Sequence, residues 1–207
     1  MIDYALLALF LPTAFFISIT PGMCMTLSLT MGLTIGLKRT FWMMWGELVG
    51  VGIVAVSAAI GVAAIMLEFP EFFTVFKWLG GAYLGWLGIQ MWLSRGRMAI
   101  KLDGEGQSGL SRKALAIQGF VTAVANPKGW AFFVTLLPPF LDATKPMAVQ
   151  LTGLVTVLLT VEFICLIIYA SGGRSLRHFL EKSGNVRAMN RVAGTLMVGV
   201  GVWLATG

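Results

Sequence analysis

Long apolar runs separated by short polar segments make up most of this chain. A helix that crosses a bilayer needs about 17–25 apolar residues, and six stretches approach or reach that length. They cover residues 4–29, 41–66, 72–93, 114–137, 147–170 and 192–206. The last is the shortest, and its helix could begin as early as Ala188. The pattern predicts an all-α integral membrane protein with six transmembrane helices.

The composition supports this class and excludes others. Of the 207 residues, 57% are hydrophobic and 12% are charged, whereas a soluble domain carries about 25% charged residues. Cys24 and Cys165 fall in apolar runs, and His178 is the single histidine. These residues cannot assemble a tetrahedral zinc site or a Cys/His catalytic pair, so we expect no metal and no cofactor.

The net charge of +6 follows from topology and needs no nucleic-acid partner. Twelve of the 15 Lys and Arg residues fall in or beside the segments after the first, third and fifth runs. They are Lys38, Arg39, Arg95, Arg97, Lys101, Arg112, Lys113, Arg174, Arg177, Lys182, Arg187 and Arg191. By the positive-inside rule these segments are cytoplasmic. We therefore expect a multi-pass protein of the bacterial cytoplasmic (inner) membrane with both termini outside.

One polar, glycine-containing stretch divides the chain. Residues 94–113 lack hydrophobic periodicity and are predicted to be a cytoplasmic linker between residues 1–93 and 114–207. Each half then holds three spans, so the second half enters the membrane upside down relative to the first. The fold prediction is therefore two inverted-topology three-helix repeats.

Each half has a proline break in its first span. The breaks are Thr20-Pro21-Gly22 and Asn126-Pro127-Lys128. Proline removes a backbone donor, and irregular backbone at membrane depth is tolerated where it lines a cavity or contacts protein. Freed amides attract an anion and freed carbonyls attract a cation, which suits an amino acid zwitterion. The alternative is that both prolines only kink helices for packing.

Three charges lie far from any predicted membrane surface: Glu47, Lys128 and Glu162. Each costs about 2.5–3.5 kcal/mol at the membrane centre on the insertion scale, so Lys128 should pair with a glutamate, with Glu162 as the favoured partner. The pair could simply lock helices together. Alternatively, a carboxylate takes up and releases a proton during transport, or holds a cationic substrate group. Lys77, near the start of the third run, is expected to reach the outer interface.

Glycines spaced four apart are predicted to form the helix contacts. Gly46 and Gly50 flank Glu47, and Gly81 and Gly85 repeat the spacing in the third run. Such pairs let helix backbones approach closely. The face that carries Gly46 should meet another span, and glycine faces of this kind also permit a homodimer.

Several of these motifs together resemble the lysine-exporter (LysE/RhtB) family of small bacterial amino acid exporters. The segments that carry the resemblance, across nearly the whole chain, are Thr20-Pro21-Gly22-Met23, Gly32 to Gly36, Gly46-Glu47, Lys77 to Leu84 with Gly88, Gly119-Phe120, Asn126-Pro127-Lys128, Phe132-Phe133, Pro138-Pro139-Phe140, and Arg191 with Gly194 and Gly201. The family has a second proline where Met23 stands, and often a glutamine where Pro139 stands. The resemblance implies secondary active efflux of amino acids or close derivatives, driven by the proton gradient.

The sequence is thus interpreted as an amino acid exporter working by alternating access and proton antiport. Thr20, Pro21, Gly22, Asn126, Pro127 and Lys128 are the predicted substrate-binding residues, and Glu47 and Glu162 the predicted proton-coupling residues. The expected partners are an amino acid substrate, protons and membrane lipids. A non-transporting membrane subunit or channel is the alternative. An enzyme is not expected, because no cluster of His, Asp or Ser residues stands near either interface.

Overall fold

The described elements are all α-helices. The structure, a computed structural model, describes residues 4–68, 70–94, 109–137, 140–141 and 145–206. Over these ranges the helices are α1 (Tyr4–Ile19), α2 (Met23–Thr34), α3 (Leu37–Glu68), α4 (Pro70–Leu93), α5 (Arg112–Val124), α6 (Pro127–Leu136), α7 (Met147–Ser171), α8 (Gly173–Glu181) and α9 (Ser183–Thr206).

The helices agree with a membrane protein. Two stretches among the described residues are long and apolar enough to cross a bilayer, Leu37–Gly61 within α3 and Met147–Ser171, each of 25 residues. The end of α1 and all of α2 add a third if they count as one span bent by 56°. The all-helical membrane class is therefore confirmed, whereas six spans in two inverted repeats stay a prediction.

The first predicted break separates α1 from α2. Helix α1 ends at Ile19 and α2 begins at Met23. Pro21 cannot donate a backbone hydrogen bond, and Gly22 is extended with φ −148° and ψ −171°. Helix α2 resumes as its first intrahelical bond forms from the Thr26 amide to the Gly22 carbonyl at 2.9 Å.

The second predicted break separates α5 from α6. Asn126 is the N-cap of α6, and its side-chain oxygen accepts from the Lys128 amide at 3.1 Å. Pro127 occupies the first turn of α6, where its missing amide costs no hydrogen bond and its fixed φ suits a helix start. Asparagine and proline here start a helix in the middle of an apolar run, rather than merely bending one.

The basic segment after the fifth apolar run contains a helix that the hydropathy pattern did not predict, α8. Helix α8 packs Leu180 inward at 1% exposure and leaves Phe179 exposed. Arg177 and Glu181 form an exposed ion pair at 2.8 Å across one turn. Its nine residues are too few and too polar to cross a bilayer. In the sequence, only the alternation of apolar and polar residues at helical spacing could have indicated this helix.

Two predicted boundaries also move. Helix α9 begins at Ser183, earlier than either predicted start of the sixth span. Helix α5 begins at Arg112, with Ser111 as its N-cap accepting from the Ala114 amide at 3.2 Å. The end of the predicted linker is therefore helical, while residues 95–108 of that linker lie outside the described residues, as do Pro138-Pro139 and the side chain of Lys77.

Glycines bring α3 and α5 into backbone contact. A methyl group added at Gly46 would collide with the Ala116 carbonyl, and one added at Gly119 would collide with the Met43 carbonyl. The prediction that the Gly46 face packs closely against another helix is confirmed, and that helix is α5. Because Gly46 faces Ala116 and Gly50 faces the Phe120 backbone, the two helices run parallel.

Helix α4 packs along α9 in the opposite direction. A methyl group at Gly88 would lie 2.5 Å from the Gly194 carbonyl oxygen, and one at Gly81 would lie 2.5 Å from that of Gly201. Gly81, earlier in α4, faces a later residue of α9 than Gly88 does, so the two helices are antiparallel. Because all four positions are glycine, no side chain keeps the two helix backbones apart.

Helix α2 runs parallel to α7. The Ser28 hydroxyl donates to the Leu166 carbonyl at 2.9 Å, and Gly32 lies against the backbone of Ala170. The starts of α3 and α5 therefore share one end of the bundle with the ends of α2 and α7. At that end Arg39 donates to the Leu110 carbonyl at 2.6 Å. We call it the basic end, since the described basic segments meet there.

Two apolar clusters fill the bundle. One lies toward the basic end and includes Met43, Leu166 and Leu180; the other includes Phe10 and Leu137 and joins α1, α3, α6, α7 and α9. The two helix breaks lie between the clusters. Irregular backbone is thereby enclosed by protein rather than exposed to lipid.

Substituting Gly119 with alanine tests the α3–α5 contact. The added methyl group meets main chain, which cannot swing aside, so we expect Gly119→Ala to destabilise the protein by about 1–3 kcal/mol. Gly199→Ala in α9 is the matched control, because nothing lies within 4 Å of the added carbon. Thermal unfolding of both variants in detergent measures the difference, and equal midpoints would refute the packing assignment.

Candidate functional site

A cavity of about 50 Å³ lies between the two helix breaks. Polar residues on its wall include Ser18, Thr20, Cys24, Asn126, Lys128 and Glu162. The apolar part of the wall includes Phe132, Phe133 and Leu158. The cavity is therefore a polar centre with an apolar border, enclosed by the two broken segments and by α3 and α7.

Five of the eight residues predicted from sequence line this cavity. They are Thr20, Gly22, Asn126, Lys128 and Glu162. Pro21 and Pro127 do not line it; they belong to the breaks that shape it. Glu47 lies beside Glu162 and Cys24 rather than on the cavity wall. The structure thus brings both predicted breaks and all three membrane charges into one region.

Lys128 binds the end of α1 instead of forming the predicted ion pair. Its Nζ atom donates to the Ile17 carbonyl at 2.8 Å and to the Thr20 carbonyl at 3.3 Å. The last carbonyls of a helix lack partners and carry partial negative charge, so an ammonium there is stabilised. Glu162 is the carboxyl group that interacts electrostatically with Lys128, but the two side chains do not form an ion pair.

Two further side chains donate hydrogen bonds to carbonyl groups near the end of α1. The Thr20 hydroxyl donates to the Phe16 carbonyl at 2.5 Å, and the Tyr169 hydroxyl donates to the Ile19 carbonyl at 2.7 Å. The role of Tyr169 was missed from the sequence. One signal was available, since Tyr169 follows Glu162 by seven residues and therefore lies on the same face of α7, two turns away.

Glu47 is the most unusual group near the site. It is 0% exposed, and neither carboxyl oxygen has a hydrogen-bond partner among the residues that the structure describes. The Glu162 carboxyl and the Cys24 thiol are its polar neighbours, close enough to interact but outside hydrogen-bond geometry. An isolated carboxylate in an apolar surrounding is strongly disfavoured, so this arrangement favours a proton on Glu47.

Glu162 has a different environment. It is half-buried on the cavity wall, beside the Ser18 hydroxyl and within the electrostatic reach of Lys128. Glu47 lies ten residues into α3 and Glu162 nine residues before the end of α7, which places each about 15 Å from the basic end. That depth lies inside the hydrocarbon core, on the side of its centre that is nearer the basic end.

The part of the cavity around Lys128 favours an anion. Helix α2 begins there at Met23 with no side-chain cap on its first amides. The Lys128 Nζ atom lies 3.7 Å from the position that a methyl group on Gly22 would occupy. Asn126 closes this wall, its side-chain amide donating to the Cys24 sulfur at 3.6 Å. An ammonium and free helix amides thus face the same space, as anion sites require.

The charges suit binding rather than covalent chemistry. Lys128 and Glu162 both line the cavity, so a molecule that carries one negative and one positive charge finds an opposite charge for each. Within the described ranges, no three or more His, Cys, Asp or Glu side chains come together in a group that could hold a metal ion. The arrangement can hold a zwitterion and can bind and release a proton.

Tyr169→Phe isolates the contribution of one cap at the break. Removing the hydroxyl leaves the Ile19 carbonyl without its donor, and an unsatisfied buried group costs about 1–3 kcal/mol. We expect the unfolding free energy in detergent to fall by that amount. Tyr83→Phe, on an exposed residue of α4, is the matched control. A Tyr169→Phe variant as stable as Tyr83→Phe would show that the cap contributes nothing.

Comparison with known proteins places this chain in a family. The model of the LysE type translocator family matches residues 15–207. An uncharacterized membrane protein of Vibrio cholerae serotype O1 is 31% identical over 199 residues, covering 95% of each chain. No solved structure matches.

Two relatives have named activities. The homoserine/homoserine lactone efflux protein of Salmonella typhi is 27% identical, covering 95% of this chain and 94% of its own. The leucine efflux protein of Enterobacter sp. (strain 638) is 28% identical, covering 93% and 92%. The expectation that the chain is no enzyme is confirmed, because LysE family members are transporters. This membrane protein belongs to the LysE type translocator family.

Proposed function

We propose that this protein exports amino acids or close derivatives across the bacterial inner membrane by proton antiport. The observation that carries the proposal is the cavity at two helix breaks, with both Lys128 and Glu162 on its wall. The efflux activities named for the relatives point the same way. In this proposal the basic end faces the cytoplasm and both termini lie outside, with six spans arranged as two inverted repeats.

The proposed substrate lies across the cavity as a zwitterion. Its carboxylate would contact the Lys128 ammonium and the first amides of α2, and its ammonium would contact Glu162. The apolar wall at Phe132 and Phe133 would then receive the side chain. This binding mode uses Thr20, Gly22 and Asn126 through the backbone and polar groups that shape the break. Pro21 and Pro127, the other break residues of the predicted substrate-binding set, would act only by shaping the breaks.

Proton coupling is assigned to the pair Glu47 and Glu162. One proton shared by two neighbouring carboxyl groups relieves the repulsion between them. A substrate ammonium arriving at Glu162 would compete with that proton for the same negative charge. Competition of this kind makes occupancy by substrate and by proton alternate, which is the requirement for antiport.

The small volume of the described cavity supports the proposal of alternating access. About 50 Å³ is less than the roughly 150 Å³ that holds one benzene molecule in an apolar protein cavity. An amino acid therefore requires the broken segments to separate. The breaks are the natural hinges, since no continuous helix joins α1 to α2. The hydrogen bonds of Lys128 and Tyr169 instead hold the end of α1 to α6 and α7.

Neutralising the carboxyl pair tests the coupling. In inverted vesicles with an acidic interior, we expect Glu47→Gln and Glu162→Gln to abolish uptake of labelled amino acid driven by the pH gradient. Because Glu47 does not contact the substrate, Glu47→Gln should retain exchange of labelled for unlabelled amino acid without a gradient. Glu181→Gln, which alters an exposed glutamate of α8, serves as the control.

The outcome of these assays separates the proposed exporter from its rival. Gradient-driven uptake by Glu47→Gln equal to that of the unaltered protein at every pH would exclude the coupling role. Downhill flux without exchange or counter-transport would instead indicate a channel or a non-transporting subunit.

Substrate analogues test the zwitterion. A competing amino acid loses one of its two contacts when its carboxylate is amidated or its ammonium is removed. Loss of one charged contact, worth about 1.5–3 kcal/mol, should weaken competition by roughly 10- to 100-fold. Inhibition of labelled uptake by each analogue measures this. Equal inhibition by the amidated analogue and the free amino acid would remove Lys128 from the proposed site.

A further inference from the structure

A second, much larger hollow lies on the outer face of the bundle, between α3 and α7. Its volume is about 730 Å³, and it is separate from the cavity at the breaks. Residues along it include Trp45, Val49, Gly52, Ile53, Leu159 and Phe163. We call it the α3–α7 groove. Trp45, Val49 and Ile53 are each at least half exposed, so nothing within the described chain covers them.

The groove offers apolar contact and no free polar group on α7. Thr156 and Thr160 border it, but their hydroxyls donate to main-chain carbonyls of Thr152 and Thr156 at 2.6 and 2.7 Å. Hydroxyl groups bonded back to their own helix add little polarity to its surface. The groove therefore suits a hydrocarbon chain better than an amino acid.

Gly52 makes the floor of the groove. A methyl group added there would touch the Leu159 side chain at 3.6 Å, an ordinary contact distance. The absence of a side chain at Gly52 thus leaves open space rather than permitting close helix contact. Trp45 and Phe163, with ring centres 5.5 Å apart, border the groove nearer the basic end.

Basic residues lie beyond that end of the groove. Lys38 precedes Trp45 by seven residues, so it lies on the same face of α3, two turns closer to the end of the bundle. It is exposed. Arg112 stacks over the Trp42 ring at 5.3 Å. Tryptophan beside lysine or arginine is the arrangement found at the level of lipid headgroups.

The dimensions fit one lipid. From Trp42 to Ile53 is 11 residues, or about 16 Å along α3, which is close to half of a hydrocarbon core about 30 Å thick. A lipid with its headgroup at Lys38 and Arg112 would therefore place one acyl chain along the groove as far as the membrane centre.

We propose that the α3–α7 groove is a binding site for an anionic phospholipid. The acyl chain lies over Gly52 between Trp45 and Ile53, and the phosphate contacts Lys38 and Arg112. A second copy of the chain fits less well. In a two-fold dimer within a membrane, both copies bring the same basic end to the same side, so the positive charges would face each other.

Lipid titration followed by native mass spectrometry tests the site. The full-length protein, stripped of lipid in detergent, is titrated with phosphatidylglycerol or phosphatidylcholine. We expect tighter binding of phosphatidylglycerol, and about a fivefold loss of that preference for each charge removed in Lys38→Gln and Arg112→Gln. Lys182→Gln, on an exposed lysine between α8 and α9, should change nothing.

A substitution that fills the groove provides a second test of the lipid site. Gly52→Leu places a side chain where the acyl chain lies and should weaken binding of both lipids. Gly61→Leu is the matched control, because it makes the same change on the same helix where nothing lies within 4 Å and where the side chain points away from the groove. Both substitutions favour helix formation, so both variants should fold.

Three results would overturn the proposal. They are equal affinity for the two lipids, unchanged binding in Gly52→Leu, and a dimer of the unaltered protein that Gly52→Leu dissociates. The last would make the groove an interface between two copies.

Discussion

The end of α1 is the constraint on which the rest of the site depends. In a membrane, a helix that stops halfway leaves carbonyl groups that water cannot reach, and each must find a donor within the protein. Lys128, Tyr169 and Thr20 supply those donors from three different segments. The same bonds hold α6 and α7 against the break, so the geometry of the cavity follows from satisfying the backbone.

This arrangement gives Lys128 two roles that compete. Its ammonium satisfies the carbonyls of Ile17 and Thr20, and it also faces the space beside Gly22 where an anion would lie. A substrate carboxylate would draw the ammonium away from the end of α1 and loosen the hold on the break. Substrate binding and movement of the broken segments would then be linked through one side chain.

Close packing elsewhere limits where such movement can occur. Backbone contact through Gly46 and Gly119 joins α3 to α5, and contact through Gly88 and Gly194 joins α4 to α9. Helices in contact through bare backbone have little freedom to slide without collision. The breaks are held by side-chain hydrogen bonds, which can rearrange without such collisions, so the chain can move more easily there. The α3–α7 groove lies outside these close contacts, where α3 and α7 are far enough apart to leave space for a lipid chain.

The sequence by itself determined the class of the molecule and the position of both helix breaks, and it predicts the residues at which substrate and protons would bind. It could do so because hydropathy, proline and buried charge act locally and leave a signal in the order of residues. The sequence could not determine the partners of those residues. Lys128 was expected to pair with a glutamate, but α1 ends beside it and offers two carbonyls, a choice that depends on how four helices come together. The contact between Glu47 and Glu162, the cap from Tyr169 and the groove beside Gly52 were likewise decided by tertiary structure. Each depends on the distance between helices far apart in the chain, which the local pattern does not encode.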